Sequence, residues 1–213
     1  PEDGILFSMD AFGQHYACSG RFDDEASLET ALEEAQTYYA NIGMPYGKPV
    51  GRILRKLDDA DLRMIAPSHG VIWRRHVSEI LKRYGDWSSG KVGNKVLVVY
   101  DSMWASTARM AEEIANGAAE AGSQVQLCPI RGTTFARVAK EMSDSGAVAF
   151  GSSTLNSTMM PMAAAVLTYF QGLKPAPRAA MAFGSHGWSG GGATGIDAGL
   201  KSMAWEVVGE PLT

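Results

Sequence analysis

Lys95-Val-Leu-Val-Val-Tyr-Asp-Ser-Met-Trp-Ala-Ser-Thr107 is the stretch that decides the fold. Lys95–Tyr100 carries a run of five apolar residues and suits a single strand buried on both faces. A short polar turn follows, and from Thr107 to Ala121 the apolar residues recur at helical spacing. Strand, turn and helix in this order open a βαβ unit, whose ligands sit beyond the carboxyl ends of the strands. The turn holds three hydroxyls, Ser102, Ser106 and Thr107, beside the free N–H groups that start a helix. Donors at the positive end of a helix dipole can cradle a phosphate without any cation. The same hydroxyls also suit an ordinary N-cap, so both readings stay open at this point. No Walker lysine is present, which argues against an NTPase site.

Outward from this stretch the strand–helix alternation continues to the end of the chain. Further strands are expected at Val125–Leu127, Ala147–Phe150, Ala179–Phe183 and Trp205–Val208. Helices are expected at Thr134–Met142, Pro161–Gln171 and Gly195–Met203. Short apolar strands separated by helices imply an α/β fold with a doubly wound parallel sheet. Two more loops follow strands of this sheet. Gly151-Ser-Ser-Thr-Leu-Asn-Ser157 is small and polar, so its backbone can approach a flat ring. Phe183-Gly-Ser-His-Gly-Trp-Ser-Gly-Gly-Gly192 adds glycines, small hydroxyls and one aromatic face, Trp188. Either loop alone is only rich in turn formers, but three such loops at successive strand ends point to a nucleotide-like cofactor.

These three segments resemble those of flavodoxin, and more closely the flavodoxin half of the flavodiiron proteins, or A-type flavoproteins. The resemblance implies FMN as cofactor, with its phosphate on Ser102, Met103, Ala105, Ser106 and Thr107. It places the isoalloxazine between Ser153, Thr154, Leu155 and Asn156 on one side and Ser185, His186, Gly187, Trp188, Ser189 and Gly190 on the other.

Upstream the pattern is less regular. A strand at Ile5–Phe7 leads to Asp10-Ala-Phe-Gly13, and helices are expected at Ser27–Tyr39, Val50–Leu57 and Val77–Trp87. A strand at Leu62–Ala66 runs into Pro67-Ser-His-Gly70. Ser88–Asn94, small and polar, reads as the linker, giving domains 1–88 and 94–213. Asp10 and His69 each end a strand in a glycine-containing turn. A carboxylate with an imidazole suits non-haem iron, manganese or zinc, although such a pair is more often a cap and a surface residue.

Ser8-Met-Asp-Ala-Phe-Gly13 and Ile65-Ala-Pro-Ser-His-Gly-Val-Ile-Trp-Arg74 resemble the last two ligand turns of the flavodiiron metallo-β-lactamase-like αββα domain. By that resemblance Asp10 bridges two irons and His69 binds one of them, while His15 and His76 match no ligand. The family's upstream His-x-Glu-x-Asp-His segment and a further His are absent here. These 213 residues are therefore not expected to assemble two Fe by themselves.

The family implies reduction of nitric oxide to nitrous oxide or of dioxygen to water. Electrons come from a rubredoxin or flavin reductase type donor, and a head-to-tail homodimer or homotetramer joins flavin to metal. The alternatives are an FMN electron carrier with a non-catalytic first domain, and a hydrolase using a lactamase-type metal pair.

Composition sets limits. Hydrophobic residues at 46% and charged residues at 20% exclude a disordered chain. With 19 basic and 23 acidic residues, a net charge of −4 and no basic stripe, nucleic acid is not an expected partner. No apolar run is long enough for a membrane span. Two distant cysteines, Cys18 and Cys128, point to a reducing cytoplasm and are expected as buried, small apolar side chains. Both chain ends read as cut: the text starts at Pro1, stops in the strand begun at Trp205, and lacks a last flavodoxin helix.

Overall fold

The computed structural model describes residues 3–57 and 60–213, so the abrupt start at Pro1 lies outside the described residues. The chain divides into two compact units, Pro1–Lys91 and Val92–Thr213.

In the first unit β1 (Ile5–Met9) pairs in parallel with β2 (Met64–Pro67), Ile5 opposite Met64 and Phe7 opposite Ala66. Leu62 donates its N–H to Ala60 O in a turn, so β2 begins at Met64 rather than at Leu62. Helix α1 (Leu28–Tyr38) starts where expected, with Ser27 Oγ accepting from Thr30 N at 3.3 Å. α2 (Gly47–Leu57) begins three residues before the expected Val50, and α3 (Val77–Ser88) closes the unit. Phe12, Ala31, Ala35, Tyr39, Ile65, Trp73, Ile80 and Tyr84 make one core cluster. Two polar bonds pin the turn after β1 into it: Phe12 N donates to Tyr84 Oη and Trp73 Nε1 to Phe12 O, both at 2.8 Å. Cys18 is exposed, contrary to expectation, and its thiol donates to Gly20 O at 3.3 Å. Cys128 is buried as expected, and burial pushes its thiol up to about 11.

In the second unit β3 (Gly93–Asp101) is an interior strand, paired on both sides. The sheet order is β4 (Gln124–Pro129), β3, β5 (Ser145–Ser152), β8 (Ala179–Phe183), β9 (Glu206–Val207), and every pair is parallel. Between them run α4 (Ser106–Glu120), α5 (Phe135–Ser143), α6 (Pro161–Leu173) and α7 (Gly192–Ser202). A small antiparallel hairpin, β6 (Thr154–Leu155) with β7 (Thr158–Met159), lies in the loop after β5. Ala111 and Ala115 of α4 pack against Val98, Ala149 and Phe183 of the sheet. Phe150 meets Phe170 of α6 with ring centroids 6.1 Å apart. The irregular stretch between α3 and β3 is only 89–92, because Gly93 and Asn94 already belong to the strand. The last strand is also shorter than Trp205–Val208. Beyond it Leu212 bridges to Phe183, with Gly184 N donating to Leu212 O at 2.9 Å, so the described chain does not stop inside that strand.

Two predictions follow from this packing. A Cβ on Gly151 would run into the ring of buried Phe183, so Gly151→Ala should lower stability by about 1–3 kcal/mol, read as a fall in the urea midpoint. In the first unit Asp23 is buried, which opposes its ionisation. Three N–H groups (Arg74 at 2.8 Å, Arg75 at 3.2 Å, His76 at 2.8 Å) and the His76 ring outweigh that and hold its carboxyl below the ordinary 3.8. A depressed folded-state value means the stabilisation is present above pH 3.8 and fades as pH falls through the lower folded value. Thermal melts across acid pH should show that loss, and Asp23→Asn should flatten it.

Candidate functional site

The three loops singled out in the sequence meet at the carboxyl end of the parallel sheet. α4 starts at Ser106 with no side-chain cap, and Ala105 before it sits in the left-handed region at φ 66°. The first N–H groups of a helix have no partner inside it. Here that of Ala108 is taken by Ser102 Oγ at 3.3 Å, which bends the loop back over the helix start. Loops one and two are joined by Ser153, whose N donates to Asp101 O at 3.2 Å and whose Oγ accepts from Met103 N at 3.2 Å. Loops two and three are joined by Thr154, whose N donates to Ser185 O at 2.8 Å and whose Oγ1 accepts from Gly192 N at 3.0 Å. Asn156 and Ser157, both at positive φ, form the two-residue turn of the β6–β7 hairpin, as a primed turn requires. A Cβ on Gly191 would meet Ser157 O, so only glycine lets loop three lie this close.

Between the loops is a recess of about 230 Å³ lined by Met103, Trp104, Ser106, Ser153, Thr154, Ser185, His186 and Gly187. Ser102 and Thr107 are not part of this lining, and Thr107 is fully buried. Leu155 and Asn156 lie on the hairpin, and Ser189 approaches Ser157 at 3.5 Å between hydroxyl oxygens. Trp188 is 98% exposed and stands outside the lining, as does Gly190. The donor set is neutral hydroxyls and backbone N–H groups at a helix start, chemistry that fits a phosphate ester. Glycine-flanked, small-residue loops beside it fit a flat ring. The residues present therefore fit a flavin nucleotide.

Sequence reasoning missed Asp101 and Arg131. Asp101 ends β3 fully buried, accepting from Arg131 Nε at 2.8 Å through Oδ1, while Oδ2 has no partner. The signal was a carboxylate closing an otherwise apolar strand.

In the first unit Asp10 and His69 do come together, His69 Nε2 lying 3.4 Å from Asp10 Oδ1 with both side chains largely open to solvent. Their turns are tied by Gln14, which is buried, donates through Nε2 to Val71 O at 3.1 Å and accepts from Val71 N at 2.6 Å. The His15 ring lies edge-on to His69 and Tyr38, at 5.6 and 4.9 Å between centroids. His76 is occupied with Asp23. Burial, and then the charge of Asp10, raise the Tyr38 hydroxyl above its ordinary value. Among the described residues no three His, Cys, Asp or Glu side chains converge on one point. Asp10 and His69 thus fit one edge of a metal site and not a two-metal centre.

The match to the family Flavodoxin covers residues 98–213. Nitric oxide reductase of Moorella thermoacetica is 37% identical over 213 residues, covering 99% of this chain and 53% of that protein. The structure of rubredoxin oxygen:oxidoreductase from Desulfovibrio gigas superposes with a TM-score of 0.95 at 34% identity, over 99% of this chain and 53% of that one. The flavodiiron protein from Giardia intestinalis gives 0.92 at 37% identity, over 100% of this chain and 55% of that one. The chain spans about half the length of the relatives it matches.

Ala105 carries a local conflict, a side chain held at φ 66° directly before α4. Replacing it with glycine removes a strain of about 1–2 kcal/mol against a smaller cost in chain entropy. Ala105→Gly should therefore raise the urea midpoint slightly rather than lower it.

Proposed function

Because this chain belongs to the flavodoxin family over residues 98–213, and relatives matching it from end to end are flavodiiron proteins, we propose that it binds FMN within a flavin-dependent reductase of nitric oxide or dioxygen. The observation that supports this most is the uncapped start of α4 facing a recess edged by Ser106, Ser153 and Ser185. Bound there, FMN supplies reversible one- and two-electron chemistry. The chain's own part is to hold and shield it. Ser106 and the first N–H groups of α4 offer neutral donors to the phosphate, and Ser102 shapes the loop by holding Ala108 N. The loops after β5 and β8 present small residues to the ring.

In this reading residues 94–213 are a flavodoxin-like FMN domain, and residues 1–88 are the C-terminal portion of a metallo-β-lactamase-like domain. Asp10 and His69 are two of its ligands, the others lying outside these 213 residues. A rubredoxin or flavin reductase type donor, a head-to-tail homodimer or homotetramer, and a cytoplasmic setting belong to the same proposal. Among the described residues no helix is long and apolar enough to cross a membrane. One observation favours a second reading. Among the described residues Asp10 and His69 have no third metal-ligating side chain beside them, which is compatible with an FMN electron carrier whose first domain is non-catalytic.

Titrating FMN against the chain, followed by quenching of flavin fluorescence, should reach one FMN per chain. Ser106→Ala should weaken binding about tenfold, the loss of one hydrogen bond to a charged acceptor. Fluorescence that stays unquenched in the wild-type chain would overturn the FMN reading. Iron content of a longer protein containing this chain separates the other two: two irons per chain support the reductase, and none supports the carrier.

A further inference from the structure

Helix α2 is built against its own stability. Gly47 and Gly51 are poor helix formers, and no residue of the helix is buried. Lys48, Arg52 and Arg55, four and then three positions apart, set three exposed cations on one face, where like charges repel. All three line a groove of about 570 Å³ between α2 and the end of α3, together with Gly85, Ser88 and Ser89. No carboxylate lines this groove, and among the described residues the three cations have no ion pair or hydrogen-bond partner. Other cations of the same unit are met: Arg74 by Asp24 and Glu25, Arg83 by Glu79, Lys91 by Asp86. The carbonyls that end α3 do not need them either. Gly85 O accepts from Ser89 N at 3.1 Å and Ser88 Oγ at 3.2 Å, Asp86 O from Lys91 N at 3.0 Å and Ser89 Oγ at 2.9 Å, and Trp87 O from Gly90 N at 3.1 Å. Arg55 reaches back over Gly51, where a Cβ would lie 3.9 Å from Arg55 Nη1 and 3.6 Å from Ser88 Oγ. The guanidinium thus faces the groove and not the solvent beyond the helix end.

We propose that this groove between α2 and α3 is a binding site for a small polyphosphate, a ligand carrying two or more linked phosphate groups. Three uncompensated cations in a row match several negative charges in a row, which a lone carboxylate or phosphate does not offer. Arg52 and Arg55 each present a planar fork that fits phosphate oxygens, and Lys48 adds a point charge. The groove's volume falls in the range of small-molecule sites. Binding relieves the repulsion along α2, so the ligand stabilises a helix that has little else to hold it. The site lies wholly within the first unit and does not rest on the FMN reading.

The test is isothermal titration calorimetry on the whole 213-residue chain, with excess FMN present throughout to occupy the flavin site. Affinity should rise from inorganic phosphate to pyrophosphate to tripolyphosphate, and should fall as salt is raised. Lys48→Gln, Arg52→Gln and Arg55→Gln should each weaken tripolyphosphate about three- to tenfold, and the triple variant should abolish its binding. Lys174→Gln, which removes an exposed cation of the second unit, should change nothing. ADP set beside pyrophosphate separates two sources of the same chemistry: tighter ADP marks a nucleotide site, and equal affinity marks recognition of the phosphates alone. Without ligand and at low salt, the triple variant should melt higher than wild type, because the repulsion along α2 is gone. Equal affinity for the three phosphates, no tripolyphosphate binding by wild type, undiminished binding by the triple variant, or an equal loss in Lys174→Gln would each overturn the proposal. So would a triple variant that melts lower than wild type or fails to fold, since the three cations would then serve the fold and not a ligand.

Discussion

A strand buried on both faces has room for polar chemistry only where it ends. β3 is such a strand, with Leu97, Val98 and Val99 fully covered between β4 and β5, and everything at the candidate site depends on how it terminates. It ends in a buried carboxylate, Asp101, whose charge is met by Arg131 from the neighbouring strand's exit. Asp101 O then receives the N–H of Ser153 from the exit of β5. Three strand exits are thus tied together before any ligand is considered. The parallel topology forces these exits to one end of the sheet, and hydrogen bonds between loops convert that proximity into a shaped recess.

This dependence explains what was legible in the sequence. The apolar strands and the loops behind them carry their signal locally, so the second unit's α/β order and its three loops could be read from residue types alone. Boundaries moved where pairing rather than composition decides them. Gly93 and Asn94 look like linker, yet Gly93 sits opposite Ser145 and the strand starts there. The β6–β7 hairpin was invisible because Asn156-Ser157 is a weak turn signal, and two paired residues on either side leave no periodicity to detect. The inward direction of the Thr107 hydroxyl was hidden for a different reason. Its partners Ser153 and Ser185 are 46 and 78 positions away, and only the folded sheet brings them within reach.

The first unit shows the opposite balance. Its two chemical residues stand out only by resemblance, since an Asp and a His in separate turns carry no local signature of metal binding. The structure supplies the missing physical link in Gln14. Its buried side-chain amide bonds both ways to the backbone of Val71, tying the turn after Asp10 to the turn after His69. Gln14 N also donates to His69 O at 3.3 Å. Three hydrogen bonds thus hold a carboxylate and an imidazole 3.4 Å apart on a surface where, left exposed and untied, they would gain little from each other.

The two candidate sites use different physics to reach a similar end. At Asp10 and His69, charge is available but coordination is incomplete within these residues. At the sheet exit, coordination is rich but charge is scarce, because among the described residues no Lys or Arg lines the recess, and Arg131 at the exit of β4 is committed to Asp101. An anion held there relies on helix and backbone dipoles together with hydroxyls that must all point the right way. Dipoles stabilise charge well only when they are fixed in advance, since each one that must reorient costs part of what it contributes. A site without cations therefore needs its loops locked more tightly than a site that has them. The contacts of Thr107 Oγ1 with Ser153 Oγ and Ser185 Oγ, at 2.9 and 2.8 Å, join all three loops and meet that need.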